Sequence, residues 1–223
     1  MNPREDAVRS LFSRIASHYD LLNTIISLGL HKLWRRQAVR LLGAQPGWLC
    51  LDVASGTGDF ALSVQRTGAE GVALDMTAEM LRIARERLLY LKAVLADAFR
   101  LPFADVTFDA LTIGFGLRHS REDLPVLLAE LRRVLKPGGR LVSLELSHPP
   151  SRCWDWLTGL YIHLLLPIIG GLVDRPAYDY LSRSLHGYPG APELADLFVA
   201  AGFARCDFHR LTGGVAAIHV AVR

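Results

Sequence analysis

The chain has 223 residues, 51% of them hydrophobic and 21% charged, with a mean hydropathy of +0.24. So little charge excludes a disordered chain, and the length suits one large α/β domain or two small ones, at roughly 100–200 residues per domain. The net charge of +3, from 25 Lys+Arg against 22 Asp+Glu, is well dispersed. It forms no basic tail or stripe able to neutralise a row of phosphates, so nucleic acid is not an expected partner.

The first 45 residues read as helices. Val8, Leu11, Phe12, Ile15 and Tyr19 recur at helical spacing, and a second run from His31 through Leu42 ends at Gly43. Lying before the first strand, residues 1–45 are expected to cap the core. From Trp48 onward come short, apolar, β-rich runs: WLCLDVA, GVALD, AVLAD, FDALTIGF and RLVSLEL. Helices are predicted between them over Phe60–Thr67, Ala78–Leu91 and Arg121–Leu135, the last stopped by the turn Lys136-Pro137-Gly138-Gly139. Such alternation predicts a mostly parallel sheet with helices on both faces.

Residues 147–190 break the pattern and read as an insertion after the fifth strand. A helix over Pro192–Ala201 and two strands, Ala204–Leu211 and Val215–Val222, joined at Gly213-Gly214, bring the expected strands to seven. Most of the apolar excess lies in Leu157–Val173, LTGLYIHLLLPIIGGLV, interrupted by Pro167, Gly170 and Gly171. A bilayer span needs about 20 consecutive apolar residues, so this stretch is not read as one. MNPREDAVRS carries no apolar run behind its charges, so no signal peptide is expected and a cytosolic location is. Cys50, Cys153 and Cys206 are odd in number and widely spaced, and the eight histidines show no ligand spacing. Neither a disulfide framework nor a metal site follows.

The strongest local signal is Leu51-Asp52-Val53-Ala54-Ser55-Gly56-Thr57-Gly58-Asp59-Phe60-Ala61, at a strand-to-helix junction where glycines let a ligand approach the backbone. Gly56, Gly58 and Ala61 formally satisfy the dinucleotide pattern, which a plain tight turn would also satisfy. Asp75, ending the second strand, is placed to accept ribose hydroxyls. Asp97, ending the third and followed by Ala98, is placed beside an adenine amino group. Each acid could equally cap a helix. The first basic residue after the loop is Arg66, while Asp52 and Asp59 flank the glycines. A pyrophosphate would meet carboxylates there, whereas a ligand with an ammonium and a sulfonium would find complementary charge, which favours S-adenosyl-L-methionine over NAD.

The chain resembles the class I adenosylmethionine-dependent methyltransferases, and among them the C-methyltransferases of menaquinone and ubiquinone biosynthesis. The resemblance is carried by Phe12-x2-Ile15-Ala16-x2-Tyr19-Asp20-x2-Asn23, Ser27-x-Gly29-x-His31-x2-Trp34-Arg35, Gly56-Thr57-Gly58-Asp59, Leu101-Pro102-Phe103, Gly114-Phe115-Gly116-Leu117-Arg118, Arg133 to Gly139, and Thr212-Gly213-Gly214-Val215-x2-Ile218-His219. Where the family usually carries Asn after the Arg, this chain has His119.

The resemblance implies a Rossmann-like α/β fold in a single domain over residues 1–223, with Gly56, Thr57, Gly58, Asp75, Asp97 and Ala98 holding adenosylmethionine. It also implies methyl transfer to a ring carbon of a prenylated quinol, with demethylmenaquinol expected and a methoxy-benzoquinol precursor of ubiquinone as the alternative. The ring must become a phenolate first. Arg118 suits its stabilisation, being permanently charged, and His119 suits proton abstraction. His31, Trp34, His148, Tyr178, Tyr180 and Tyr188 are further pocket candidates for which packing is the ordinary role. A polyprenyl tail calls for an apolar groove, for which 157–173 is available, and for contact with the membrane surface. Two other readings stay open: a nicotinamide-dependent oxidoreductase, and an inactive fold that binds a partner.

Overall fold

The computed structural model describes residues 3–87, 91–161 and 187–223, and side chains are described except at 3–8, 121 and 122. Seven strands form one sheet: β1 Leu49–Val53, β2 Glu70–Asp75, β3 Lys92–Leu95, β4 Phe108–Gly114, β5 Leu135–Leu146, β6 Arg205–Leu211 and β7 Ala216–Val222. Their order is β3-β2-β1-β4-β5-β7-β6. β1 pairs in parallel with β2 and β4, whereas β7 runs antiparallel between β5 and β6. The order reverses between β1 and β4, so a crevice opens beyond their carboxyl ends, where open α/β sheets take their ligands.

The helices among the described residues are α1 Pro3–Ile15, α2 Tyr19–Ile26, α3 Leu30–Leu42, α4 Asp59–Gln65, α5 Ala78–Arg87, α6 Leu124–Val134, α7 Arg152–Leu160 and α8 Ala191–Ala200. α6 is amphipathic, and Leu124, Leu127, Leu128 and Leu131 make one buried stripe. With Leu194 and Phe198 of α8 that stripe covers Leu51, Leu111, Ile113 and Leu141 on one face of the sheet. On the other face Trp34, Ala38 and Leu42 of α3, with Phe60 and Val64 of α4, pack against Val142, Leu144 and Ile218. Each fully buried Leu or Phe contributes about 1.5–3 kcal/mol, so both layers are held chiefly by these stripes.

Three local expectations change. The N-terminal run is not one helix: Ala16–His18 form a 3-10 turn and Tyr19 begins α2. The change of direction sets the Tyr19 ring over the glycine loop, where a Cβ on Gly56 would meet its Cε1 at 3.6 Å. α6 begins at Leu124 rather than Arg121, because Pro125 suits a first helical turn and the preceding Leu117–Asp123 wind as a 3-10 segment. Lys136 to Gly139 do not precede the fifth strand but lie within it. Phe108 pairs with Leu135 and Ala110 with Arg140, so these four residues bulge out of register. The expected insertion, 147–190, falls partly outside the described residues, as do Tyr178, Tyr180 and residues 162–173 of the apolar stretch.

Candidate functional site

β1 ends in a strained turn. Ala54 has φ +51°, and Phe115, just past the end of β4, has φ +57°. The left-handed region costs a residue with a side chain about 1–2 kcal/mol. Both outliers stand side by side at the switch point. Gly56 (φ +54°) and Gly58 (φ +82°) take the same region without that cost, which lets the loop fold back before α4.

The loop is tied to β2 through Asp75. Its Oδ2 accepts the Gly56 N–H at 2.8 Å and its Oδ1 accepts the Thr77 N–H at 2.9 Å. Burial raises the Asp75 pKa, and these bonds pull it back. The Thr77 side chain and the Met76 N–H also bond to this carboxylate, which still borders the cavity where a ligand hydroxyl would approach. Asp97 lies two residues beyond the end of β3, exposed, with Oδ1 accepting the Phe99 N–H at 2.9 Å. Gly56, Asp75, Asp97, Ala98, Phe115 and His119 border one open cavity, whose other walls include Met76, Phe99 and Ile113. Ribose acceptors beside apolar walls for a purine fit the nucleoside end of adenosylmethionine.

Two expected ligand residues do not border this larger cavity. Thr57 is buried and its Oγ1 donates to Asp20 Oδ1 of α2 at 2.7 Å. It lines a smaller cavity with Asn23, His31 and Arg35, which shares Tyr19, Ala54, Gly56 and Phe115 with the larger one. Gly58 serves as the cap of α4 and does not border the larger cavity.

The charge argument made from the loop sequence does not survive folding. Arg35 of α3 and Arg87 of α5 both pair with Asp59, and Arg87 also donates to Asp20 at 2.8 Å and to the Thr57 carbonyl at 3.2 Å. Asp52 is buried, its Oδ1 accepting from Thr112 and its Oδ2 from the Ala61 N–H, and burial pushes its pKa up to about 7. Both carboxylates line the smaller cavity but already have partners, and cations distant in sequence do reach the loop.

The other wall is set by the 3-10 segment after β4. Arg118 is buried, with its guanidinium 5.6 Å from the centre of the Phe115 ring, and among the described residues its Nε and Nη1 have no hydrogen-bond partner. His119 meets Phe12 of α1 edge-on at 5.3 Å. Burial, then the Arg118 charge, hold its pKa well below the usual histidine value. Tyr19 lines both cavities, and burial raises its pKa.

Sequence reasoning missed Glu145 as a site residue. It lies on β5 at 1% exposure, its Oε1 accepting the Leu117 N–H at 2.8 Å, and burial pushes its pKa up to about 7 although Arg118 pulls it down. The signal was there, since Ser143 and Glu145 are polar at alternate positions of the otherwise apolar run Leu141–Leu146 of β5. Tyr188 is buried beside it in the main core. Several expected candidates have structural partners. His31 Nδ1 is 2.7 Å from Ser27 Oγ, Trp34 Nε1 donates to Thr212 Oγ1 at 2.9 Å, and His148 Nε2 donates to the Tyr188 carbonyl at 3.1 Å.

Residues 1–223 match the model of the ubiE/COQ5 methyltransferase family. The chain is 40% identical over 230 residues to the ubiquinone/menaquinone biosynthesis C-methyltransferase UbiE of Stutzerimonas stutzeri, covering 97% of this chain and 88% of that one. It is also 40% identical over 217 residues to the demethylmenaquinone methyltransferase of Streptomyces avermitilis, covering 95% and 92%. A solved SAM-dependent methyltransferase of Thermotoga maritima shares the fold at a TM-score of 0.67 and 19% identity, covering 96% of this chain and 98% of that one. Matched along its whole length, and built around an open cavity at the switch point of its sheet, the chain belongs to the ubiE/COQ5 methyltransferase family.

Proposed function

We propose that this protein transfers a methyl group from S-adenosyl-L-methionine to a ring carbon of demethylmenaquinol, giving menaquinol. One observation carries the chemistry: Arg118 is a buried guanidinium with unpaired Nε and Nη1, held against a ring that walls the cavity. A buried cation left unpaired is costly, and an anion arriving beside it relieves that cost. A quinol that has lost a hydroxyl proton is such an anion, and its negative charge makes the ring carbon nucleophilic. Bound at this site, adenosylmethionine supplies an electrophilic methyl group.

Gly56 and Asp75 hold the nucleoside through backbone and carboxylate, with Asp97 and Ala98 at the base. Thr57 and Gly58 keep the loop in shape from behind. Arg118 stabilises the phenolate. His119, neutral at physiological pH, walls the cavity with Phe12 and accepts protons only weakly. The second reading, a methoxy-benzoquinol precursor of ubiquinone as acceptor, is motivated by the double name of the Stutzerimonas relative. Purified protein given methyl-labelled cofactor and each quinol in turn is expected to label demethylmenaquinol. Label on the benzoquinol alone selects the second reading, and label on neither defeats both.

The enzyme works from the cytoplasm on a substrate that resides in the bilayer. No helix among the described residues is long and apolar enough to cross a membrane. α7 exposes Trp154 at 44%, Trp156 at 65%, and Leu157 and Leu160 at 42% each. Indole and leucyl groups on a surface helix suit the lipid headgroup boundary. Trp156→Ser is expected to weaken co-sedimentation with phosphatidylglycerol vesicles several-fold while sparing turnover of a tail-less quinol. Unchanged sedimentation would contradict the contact.

A further inference from the structure

We propose that Glu145, Arg118 and Tyr188 together form the receptor for the ring hydroxyl that is deprotonated, with Glu145 Oε2 as the proton acceptor. This deepens the quinol reading above and rests on it.

The three side chains come from separate parts of the chain: the 3-10 segment after β4, the end of β5, and the segment before α8. All are at least nine-tenths buried, at 9% for Arg118, 1% for Glu145 and 3% for Tyr188. Each carries polar atoms without a hydrogen-bond partner: Nε and Nη1 of Arg118, Oε2 of Glu145 and the hydroxyl of Tyr188. They also sense one another, since Glu145 raises the Tyr188 pKa and Arg118 lowers those of both. Natural interiors satisfy nearly all their buried polar groups, so four unsatisfied atoms in one cluster mark a place for a ligand.

The geometry states what that ligand must be. Arg118 and Glu145 are both buried, and Arg118 Nε and Nη1 and Glu145 Oε2 are left without a bond to each other. A group bridging them must accept from the guanidinium and donate to the carboxylate. A hydroxyl does both. The cluster lies directly behind the cavity wall: Phe115, beneath Arg118, and Gly116 both line the cavity, and the next residue, Leu117, donates its N–H to Glu145.

With an aromatic hydroxyl in that position, its O–H bond breaks. The proton goes to Glu145 Oε2, and the electron pair stays on the oxygen and spreads to the ring carbon, with Arg118 balancing the charge. The ring carbon then bonds to the methyl group as the carbon–sulfur bond breaks and its electron pair leaves on sulfur. The ring carbon loses its hydrogen as a proton to water, and the oxygen recovers its proton from Glu145. One proton is released per turnover and Glu145 is regenerated. Burial sets its pKa at about 7, where a base is present in its active form at neutral pH and still drives transfer. The charged and titratable groups that couple to it among the described residues are Arg118 and Tyr188; His219 of β7 stands opposite Ser143, with its Nε2 fixed to the Ala191 carbonyl at 2.9 Å.

Glu145→Gln keeps an amide oxygen for the Leu117 N–H and removes the base. With saturating cofactor and demethylmenaquinol, kcat is expected to fall about 100-fold. KM is expected to change little, the acid limb of the wild-type pH–rate profile near pH 7 is expected to vanish, and adenosylhomocysteine affinity is expected to stay within about twofold. A kcat within about threefold of wild type, with the limb intact, would overturn the proposal. Should Glu145→Gln lose the cofactor, Glu145→Asp replaces it: lower kcat at unchanged cofactor affinity supports the role and wild-type kcat overturns it. A wild-type profile flat through pH 7 overturns it without any variant. A wild-type enzyme inert toward every quinol refutes the proposed function instead.

Discussion

Arg118→Ala is expected to cut turnover by about 10³-fold while adenosylhomocysteine binding stays within about twofold. Removing one preorganised donor from a developing oxyanion costs about 2.7–4 kcal/mol, which sets the scale. The guanidinium packs on Phe115 and is not tied to Asp75 or the glycine loop, so the nucleoside end should not register its loss. Stability should hold as well, because deleting a buried cation with unpaired Nε and Nη1 removes a desolvation cost along with the packing.

A second signature follows from linkage. The Arg118 charge lowers the Glu145 pKa, which burial has raised to about 7. Without Arg118 that pKa rises further, so a larger fraction of Glu145 is protonated at neutral pH. The residual activity of the variant should therefore have its acid limb displaced to higher pH. Turnover within about threefold of wild type would show that Arg118 is structural.

Asp75→Asn is expected to weaken adenosylhomocysteine binding by about 100-fold, measured by titration calorimetry so that no catalysis is required. Hydrogen bonds to a charged acceptor are worth about 1.5–3 kcal/mol each, and each 1.4 kcal/mol is tenfold in affinity. The amide has one oxygen where the carboxylate has two, and its NH2 would oppose the N–H of either Gly56 or Thr77. The glycine loop is thus loosened in addition to the lost ribose acceptor, and a lower Tm should accompany the weaker binding. Affinity within about threefold of wild type would remove Asp75 from the cofactor site.

Much of this was legible in the sequence because the signals are local. Alternating β-rich and helical runs gave the seven strands, and loop-to-acid spacing placed Gly56, Asp75, Asp97 and Ala98 around one cavity. What escaped depends on tertiary approach. Asp59 looked unpaired because Arg35 and Arg87 lie 24 and 28 residues away in the chain. The partner of Thr57 was equally hidden, since nothing local reveals Asp20, 37 residues upstream. Tyr19 was read as one more apolar position in a helix, and only the 3-10 turn at Ala16–His18 aims it at Gly56. Glu145 was visible as a letter inside a strand, yet its meaning came from the unpaired Arg118 and Tyr188 brought beside it.

The loop carboxylates show how a right conclusion can rest on a wrong step. They suggested a cationic ligand, but Asp52 is spent on Thr112 and Ala61, and Asp59 on two arginines. The methyltransferase assignment stands on the full-length family match and on the cavity between β1, β2 and β4.

Mass spectrometry of the quinone pool, with and without this protein in the cell that makes it, tests the central claim most directly. Loss of the protein should cause demethylmenaquinone to accumulate as menaquinone disappears, with prenyl chains of unchanged length, and restoring the gene should reverse both. A pool in which menaquinone persists and no demethylated precursor accumulates would contradict the account.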